Sequence, residues 1–213
     1  MIAKLADLRS PGGCGRGVGS TPTSSRTAAT APCKDRRARV RAPGNEVSVI
    51  LPTHIRLSGP IEHDSIVNGY GLRAVIWTQG CRQRCPGCHN PETWDESGGT
   101  LVPISDIKKE LKKLKGQAGL TFCGGEPLLQ SEACLEIANW AREELGWNIW
   151  SFTGLIYEKI REKGGPEWEF VKSLDALIDG PFILKQRDLT LKFRGSRNQR
   201  LLHLKGGKIV KVE

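Results

Sequence analysis

The sequence predicts an α/β protein with a mostly parallel sheet. Apolar, β-type runs alternate with helix-type segments, which is the pattern of repeated βαβ units. Each predicted strand runs directly into a glycine, and the chain of 213 residues is long enough for one domain with a real core. Because the ends of parallel strands share one edge of a sheet, where such folds place their sites, the loops after these strands should meet.

Four short runs of apolar and β-branched residues predict the parallel strands. The first is "LRAVIWTQ", and the others are "GLTFCGG", "WNIWSFTG" and "DALIDG". They span residues 72–79, 119–125, 147–154 and 175–180, and the glycines at their ends are Gly80, Gly124, Gly154 and Gly180.

Helical periodicity fills the segments between these strands. In "ISDIKKELKKLKG" apolar residues recur at positions 104, 107, 111 and 114, so the pattern predicts a helix with a Ser105 cap and a Gly116 stop. The run 131–146 predicts a second helix with a Ser131 cap and a Gly146 stop, and 157–165 and 168–174 predict two more. Residues 201–212 predict a hairpin that turns at Gly206 and Gly207.

The N-terminal segment differs in composition from the rest of the chain. Residues 1–46 are rich in Gly, Ser, Thr, Ala, Pro and Arg without apolar periodicity, so we interpret them as a disordered extension and 47–213 as the folded domain. Residues 1–44 hold nine basic and two acidic residues, most of the net charge of +9. The domain is nearly neutral and has no apolar run long enough for a bilayer, so we expect neither a nucleic-acid partner nor a membrane.

Three of the seven cysteines form one tight group in "QGCRQRCPGCHNPETW". Cys81, Cys85 and Cys88 follow the first predicted strand at spacing C-x3-C-x2-C. This spacing favours metal or cluster ligation over a disulfide framework, and we therefore expect the protein in the reducing cytoplasm. A 4Fe–4S cluster has four irons, so three thiolates leave one iron open for a small molecule. Pro86 and Gly87 suit a chain that curls around a cluster.

Two alternatives compete for the cysteine group. The thiolates could bind structural zinc with His89 or His63 as the fourth ligand. They could also hold an electron-transfer cluster that Cys123 closes from the end of the next strand. The remaining cysteine of the helical region, Cys134, lies on the apolar face of its helix and is interpreted as core.

A second motif, "CGGEP", follows the next predicted strand at residues 123–127. Gly124 and Gly125 at a strand end would let the backbone approach a ligand closely. Glu126 adds a carboxylate that could face an ammonium group. At the same sheet edge as the cysteine loop, this motif favours a reactive centre over the two alternatives.

These motifs resemble those of the radical S-adenosylmethionine (SAM) enzymes. The resemblance implies a partial, open βα barrel in which Cys81, Cys85 and Cys88 hold one 4Fe–4S cluster whose open iron is chelated by SAM. It further implies that Gly124, Gly125 and Glu126 hold the methionine end of SAM. Gly87 stands where many members carry an aromatic residue, so backbone around Gly87, Cys88 and His89 is expected to contact adenine.

The segments 65–95 and 179–200, with "FCGGEPL", resemble a narrower family, the activating proteins of anaerobic ribonucleoside-triphosphate reductase. The resemblance implies reductive cleavage of SAM, with an electron from reduced flavodoxin or a similar donor, and formation of a glycyl radical on the large reductase subunit. An activase of another glycyl-radical enzyme, such as pyruvate formate-lyase, is the alternative, and a non-catalytic iron–sulfur or zinc protein is the remote one. A group of polar residues near the C-terminus, the polar tail, has two interpretations. It either contacts SAM or the partner protein, or it is a solvated loop. It comprises Asp179, Arg187, Arg194, Arg197, Asn198 and Arg200.

Overall fold

The computed structural model describes residues 52–213 of the chain, and the extension expected at residues 1–46 lies outside this part. The described residues form a mixed α/β fold around one nine-stranded sheet of order β4-β1-β3-β5-β6-β7-β8-β9, with β2 also paired to β3. The strands are β1 (His54–Leu57), β2 (Glu62–Ser65), β3 (Arg73–Thr78), β4 (Thr100–Pro103), β5 (Gly119–Gly124), β6 (Asn148–Phe152), β7 (Ala176–Asp179), β8 (Arg200–Lys205) and β9 (Lys208–Val212).

The sheet is parallel only in its centre. β3, β5, β6 and β7 are parallel neighbours in chain order, as predicted. The flanking strands β1, β2, β4, β8 and β9 pair antiparallel, so the prediction of a mostly parallel sheet holds for the core of the sheet and is wrong for its margins. The strands β1, β2 and β4 were not predicted from the sequence, because each has only four residues. In addition, β2, "EHDS", shows no apolar alternation. The C-terminal hairpin β8–β9 is confirmed.

All four helices of the described part pack on one face of the sheet. They are α1 (Ile104–Leu111), α2 (Ser131–Leu145), α3 (Tyr157–Lys163) and α4 (Gly165–Lys172). Buried residues from every helix join Ala74, Phe122 and Leu177 of the strands in one apolar cluster. A smaller cluster on the other face is built from strand residues, chiefly Trp150 and Ile178. Successive strand residues face opposite sides, so β6, β7 and β8 supply residues to both clusters.

Two helix starts differ from the prediction. The N-cap of α1 is Pro103 and that of α2 is Gln130, and neither side chain accepts a capping hydrogen bond. The predicted caps Ser105 and Ser131 are therefore already helical residues. The preceding strand and 3₁₀ turn lead the chain directly into each helix, which displaces the start from the serine. The C-terminal stop of α2 is confirmed, because Gly146 adopts the left-handed conformation with φ of 68°.

The longest helix of residues 52–213 has 15 residues. Within that range we find no helix with the length and apolar character needed to cross a membrane.

Candidate functional site

Hydrogen bonds at or near the strand-end glycines join the loops that follow the four parallel strands. The Glu126 N–H donates to the Gly80 carbonyl (2.7 Å), and the Gly154 N–H donates to Glu126 Oε2 (2.8 Å). The Gly180 N–H donates to the carbonyl of Leu155 at 2.8 Å. The loops after β3, β5, β6 and β7 therefore converge at one sheet edge, as the alternation of strands and glycines predicted.

The two glycines of the "CGGEP" segment are required by close packing of backbone on backbone. A Cβ on Gly125 would lie 2.3 Å from the Gly80 carbonyl oxygen, and one on Gly124 would lie 2.6 Å from that of Thr78. Gly124 also has a φ of +98°, which side chains rarely adopt. The glycine pair thus fits the end of β5 against the start of the cysteine loop. The sequence interpretation considered only a ligand as the reason for the two glycines and did not include this packing.

The carboxylate of Glu126 is buried and hydrogen-bonded inside the protein. Its oxygens accept from the Gly154 N–H, from Thr153 Oγ1 (2.9 Å) and from the Leu128 N–H (3.2 Å). Burial raises the pKa of this carboxyl, and the three donors partly oppose that effect. Glu126 therefore ties the end of β5 to the loop after β6, a role that involves Thr153. The sequence interpretation missed Thr153, although its place directly before a strand-end glycine was a signal.

The cysteine loop starts at the end of β3 and is closed at its base. The Gly80 N–H donates to the Thr93 carbonyl (2.8 Å) and the Cys81 N–H to the Trp94 carbonyl (3.2 Å). The side-chain amide of Gln79 donates to two further carbonyls of the returning chain, those of Glu92 and Asp95, at 3.0 and 2.8 Å. These contacts hold the two ends of the loop 80–94 together, with Cys81 at its base and Cys85 and Cys88 in its middle.

The three cysteines are free thiols, each half-buried on this loop. Burial raises the pKa of the Cys81 thiol, and the N–H groups of Gln83 and Arg84, which hydrogen-bond its sulfur, act in the opposite direction. The Cys88 sulfur accepts from the Asn90 N–H at 3.4 Å. Backbone N–H donors at thiolate sulfurs stabilise an iron–sulfur cluster and tune its potential, so this donor set fits one.

The ligand set of the zinc alternative is not assembled in residues 52–213. No three His, Cys, Asp or Glu side chains there are grouped to hold one metal ion. His63 contacts Asp64 at the surface, and the ring of His89 lies 6.0 Å from that of Phe182. A cluster binds each thiolate through a different iron, so it does not require the sulfurs to converge on one point.

The other two cysteines of the described residues lie in different surroundings. Cys123 is half-buried on β5 beside Trp77, and burial raises the pKa of its thiol to about 12, with Asn68 as a side-chain hydrogen-bond partner. Cys134 is fully buried in the apolar cluster of α2, which confirms its interpretation as core.

The loop after β7 packs on the cysteine loop. A Cβ on Gly87 would lie 2.9 Å from Leu184 Cδ1, and Phe182 faces His89 as described above. Gly87 and His89 are themselves exposed, and Cys88 is half-buried between them. The structure thus brings Gly87, Cys88 and His89 to the same sheet edge as Gly124, Gly125 and Glu126.

The polar tail expected at a ligand or partner is largely engaged within the protein. Arg200 donates to Asp179, whose side chain is 1% exposed, and to Glu158. Arg197 pairs with Asp188, whose carboxyl pKa is lowered to about 2 chiefly by hydrogen bonds from Thr190. Arg194 donates to the Glu213 carbonyl and Asn198 to the Pro181 carbonyl, whereas Arg187 is exposed and makes no ion pair with another described residue.

Comparison with known proteins gives a consistent family. Residues 67–202 match the family model described as a 4Fe-4S single cluster domain. The chain is 37% identical over 142 residues to the anaerobic ribonucleoside-triphosphate reductase-activating protein of Haemophilus influenzae, covering 63% of this chain and 89% of that protein. It is 34% identical over 148 residues to the Escherichia coli protein of that name, covering 66% and 94%. It is 39% identical over 89 residues to the pyruvate formate-lyase-activating enzyme of Clostridium pasteurianum, covering 39% and 37%.

Proposed function

The chain belongs to the family of anaerobic ribonucleoside-triphosphate reductase-activating proteins, which contains a 4Fe-4S single cluster domain, and we propose that it generates the glycyl radical of such a reductase. The observation that carries the proposal is the bond between Glu126 and Gly80, which joins the three-thiol loop to the "CGGEP" turn. An activase needs cluster and co-substrate side by side, and this bond holds the two motifs together.

We propose Cys81, Cys85 and Cys88 as the ligands of one 4Fe–4S cluster, and Gly124, Gly125 and the backbone at Glu126 as the methionine end of the SAM site. Backbone at Gly87, Cys88 and His89 would contact the adenine. When bound, the cluster would supply one electron for the reductive cleavage of SAM, and SAM would supply the group that removes a hydrogen atom from the Cα of a partner glycine.

The residues of this chain position that chemistry. The closed base of the loop, from Gly80 to Trp94, fixes where the thiols stand, and the N–H groups at Cys81 and Cys88 stabilise thiolate charge. Glu126 acts indirectly, because its carboxylate is used to hold Thr153 and Gly154 at the same edge. We further propose that the nine-stranded sheet forms the partial, open barrel of radical SAM enzymes. We also propose that the large reductase subunit presents its glycine on a loop that enters the opening and excludes water.

We place the protein in the cytoplasm with reduced flavodoxin or a similar protein as electron donor. Free thiols at all five cysteines of the described residues suit a reducing compartment.

The test is anaerobic electron paramagnetic resonance on the reconstituted protein mixed with SAM, dithionite and the large reductase subunit. We expect a glycine-type doublet on the subunit that disappears when its target glycine is replaced by alanine. A radical found on a small molecule, with no protein radical in any reductase preparation, would contradict the proposal.

The similarity to a pyruvate formate-lyase-activating enzyme supports a second candidate, activation of that enzyme. The same assay with pyruvate formate-lyase in place of the reductase separates the two. We expect the doublet only with the reductase, because the relatives named for it match nearly along their whole length.

A further inference from the structure

The positive charge of the described residues is concentrated in one segment. Residues 181–200 contain six basic side chains and one acidic one. The rest of residues 52–213 contains 17 basic and 19 acidic side chains, so it is slightly negative. A segment of this kind creates a local positive field on a neutral protein, which affects how charged partners approach it.

Part of this charge is free of internal partners. Lys185, Arg187 and Lys192 are exposed and form no ion pair with any other residue of 52–213, unlike Arg197 and Arg200. Arg84 of the cysteine loop is likewise exposed and unpaired within the described range. We call these four side chains, Arg84, Lys185, Arg187 and Lys192, the basic face.

The basic face borders the cysteine loop. Leu184, next to Lys185, packs at Gly87 between two of the cysteines, and Phe182 faces His89 just after the third. Apolar side chains are exposed among the charges, with Leu184 51% and Leu189 72% accessible. A small surface that mixes free positive charge with a few apolar groups is typical of brief, steered protein encounters.

We propose that the basic face is the docking surface for an acidic one-electron-donor protein that reduces the cluster. The inference rests on the proposed function, in which each SAM cleaved takes one electron. Electron transfer slows steeply with distance, so the donor must bind beside the cysteine loop. It must also leave after each transfer, which favours a charged contact over a large apolar one. The donor loses one electron and the cluster gains one, and no bond forms or breaks.

The test uses the double variant Lys185→Glu with Arg187→Glu in the holoprotein. Its matched control is Lys113→Glu with Lys115→Glu, which changes the charge equally at exposed residues without ion pairs in the described structure. The control residues precede β5 and so lie at the sheet edge opposite the cysteine loop. The probe is flavodoxin, a small acidic flavoprotein.

Two measurements are made at several salt concentrations. The first is the affinity of the oxidised holoprotein for oxidised flavodoxin, which reports docking without turnover. The second is the rate of cluster reduction by reduced flavodoxin, compared with reduction by dithionite. We expect the affinity of the wild type for flavodoxin and its reduction rate to fall as salt is raised. At low salt the double variant should lose about tenfold or more in both quantities. The control variant should match the wild type, and the rate of reduction by dithionite should be the same for all three proteins.

Three results would overturn the inference. One is equal flavodoxin binding by the double variant and the control. Another is a double variant that no longer forms the glycyl radical even with dithionite, which would assign the face to the reductase subunit. A third is competition by an RNA duplex for wild-type protein at equal affinity. If instead the wild type makes no glycyl radical with dithionite, the proposed function itself fails, whatever the binding result.

Discussion

The main-chain N–H of Glu126 lies 2.7 Å from the carbonyl oxygen of Gly80 and donates a hydrogen bond to it. This bond connects the residue after the glycine pair of β5 with the residue before the first cysteine of the loop after β3. The Gly125 N–H adds a parallel bond to the Thr78 carbonyl at 2.8 Å. Two motifs separated by about 35 residues of sequence are therefore joined into one hydrogen-bonded unit. A substitution in one motif should change the structure of the other.

Replacing Cys88 by alanine should abolish the iron–sulfur cluster, because two thiolates are too few anchors. The measurement is iron and sulfide content with the visible spectrum after anaerobic reconstitution. Cys134→Ala is the control, since Cys134 is buried in α2 and should leave the iron content unchanged. Full iron and full SAM cleavage in the Cys88 variant would show that the cluster assignment is wrong.

Replacing Gly125 by alanine should disturb the cysteine loop as well as SAM binding. The new Cβ would lie 2.3 Å from the Gly80 oxygen, so the bond from Glu126 must break or the loop must move. We expect a loss of about 1–3 kcal/mol in unfolding free energy and less iron bound per chain. Gly59→Ala, where no atom lies within 4 Å of the added Cβ, should change neither. A Gly125 variant with normal iron and weaker SAM binding would favour a pure ligand role for the glycine.

Replacing Glu126 by glutamine should destabilise the fold by about 1–3 kcal/mol, because the amide cannot accept from all three donors at once. Burial raises the carboxyl pKa above its unfolded value of 4.5, so wild-type stability falls as pH rises through the folded pKa. The variant lacks this dependence, and its deficit should therefore grow as pH is lowered from neutrality toward 4.5. Urea unfolding of the apoprotein at several pH values measures this, with exposed Glu143→Gln as the control.

Replacing Arg200 by alanine should be more harmful than replacing Arg197. Arg200 neutralises Asp179, whose side chain is 1% exposed, whereas the Arg197 side chain is 74% exposed and pairs at the surface. We expect about 1–3 kcal/mol for Arg200, reduced by the partial exposure of its own side chain, and less than about 1 kcal/mol for Arg197. Urea unfolding of the two variants measures this difference. Equal losses of unfolding free energy would show that burial of Asp179 is not the cause of the larger effect expected for Arg200.

The sequence by itself determined the alternation of strands and helices in the centre of the fold. Apolar period and strand-end glycines are local signals, so β3, β5, β6 and β7 were predicted in order, and with them the edge where the cysteine loop meets the "CGGEP" turn. The position of the three cysteines as one group was equally visible, because their spacing is itself a property of the sequence.

Only the tertiary structure decided which residues contact each other. Short flanking strands such as β2 have no period of their own and exist through pairing with β3. From sequence, Gly125 could be interpreted only as a ligand contact, whereas the structure also packs it against the Gly80 backbone. Glu126 and Arg200 looked available for a ligand, yet Thr153, Gly154 and Asp179 already bond them. Such partners lie far apart in the chain, and composition or period carries no information about contacts that form only when the sheet assembles.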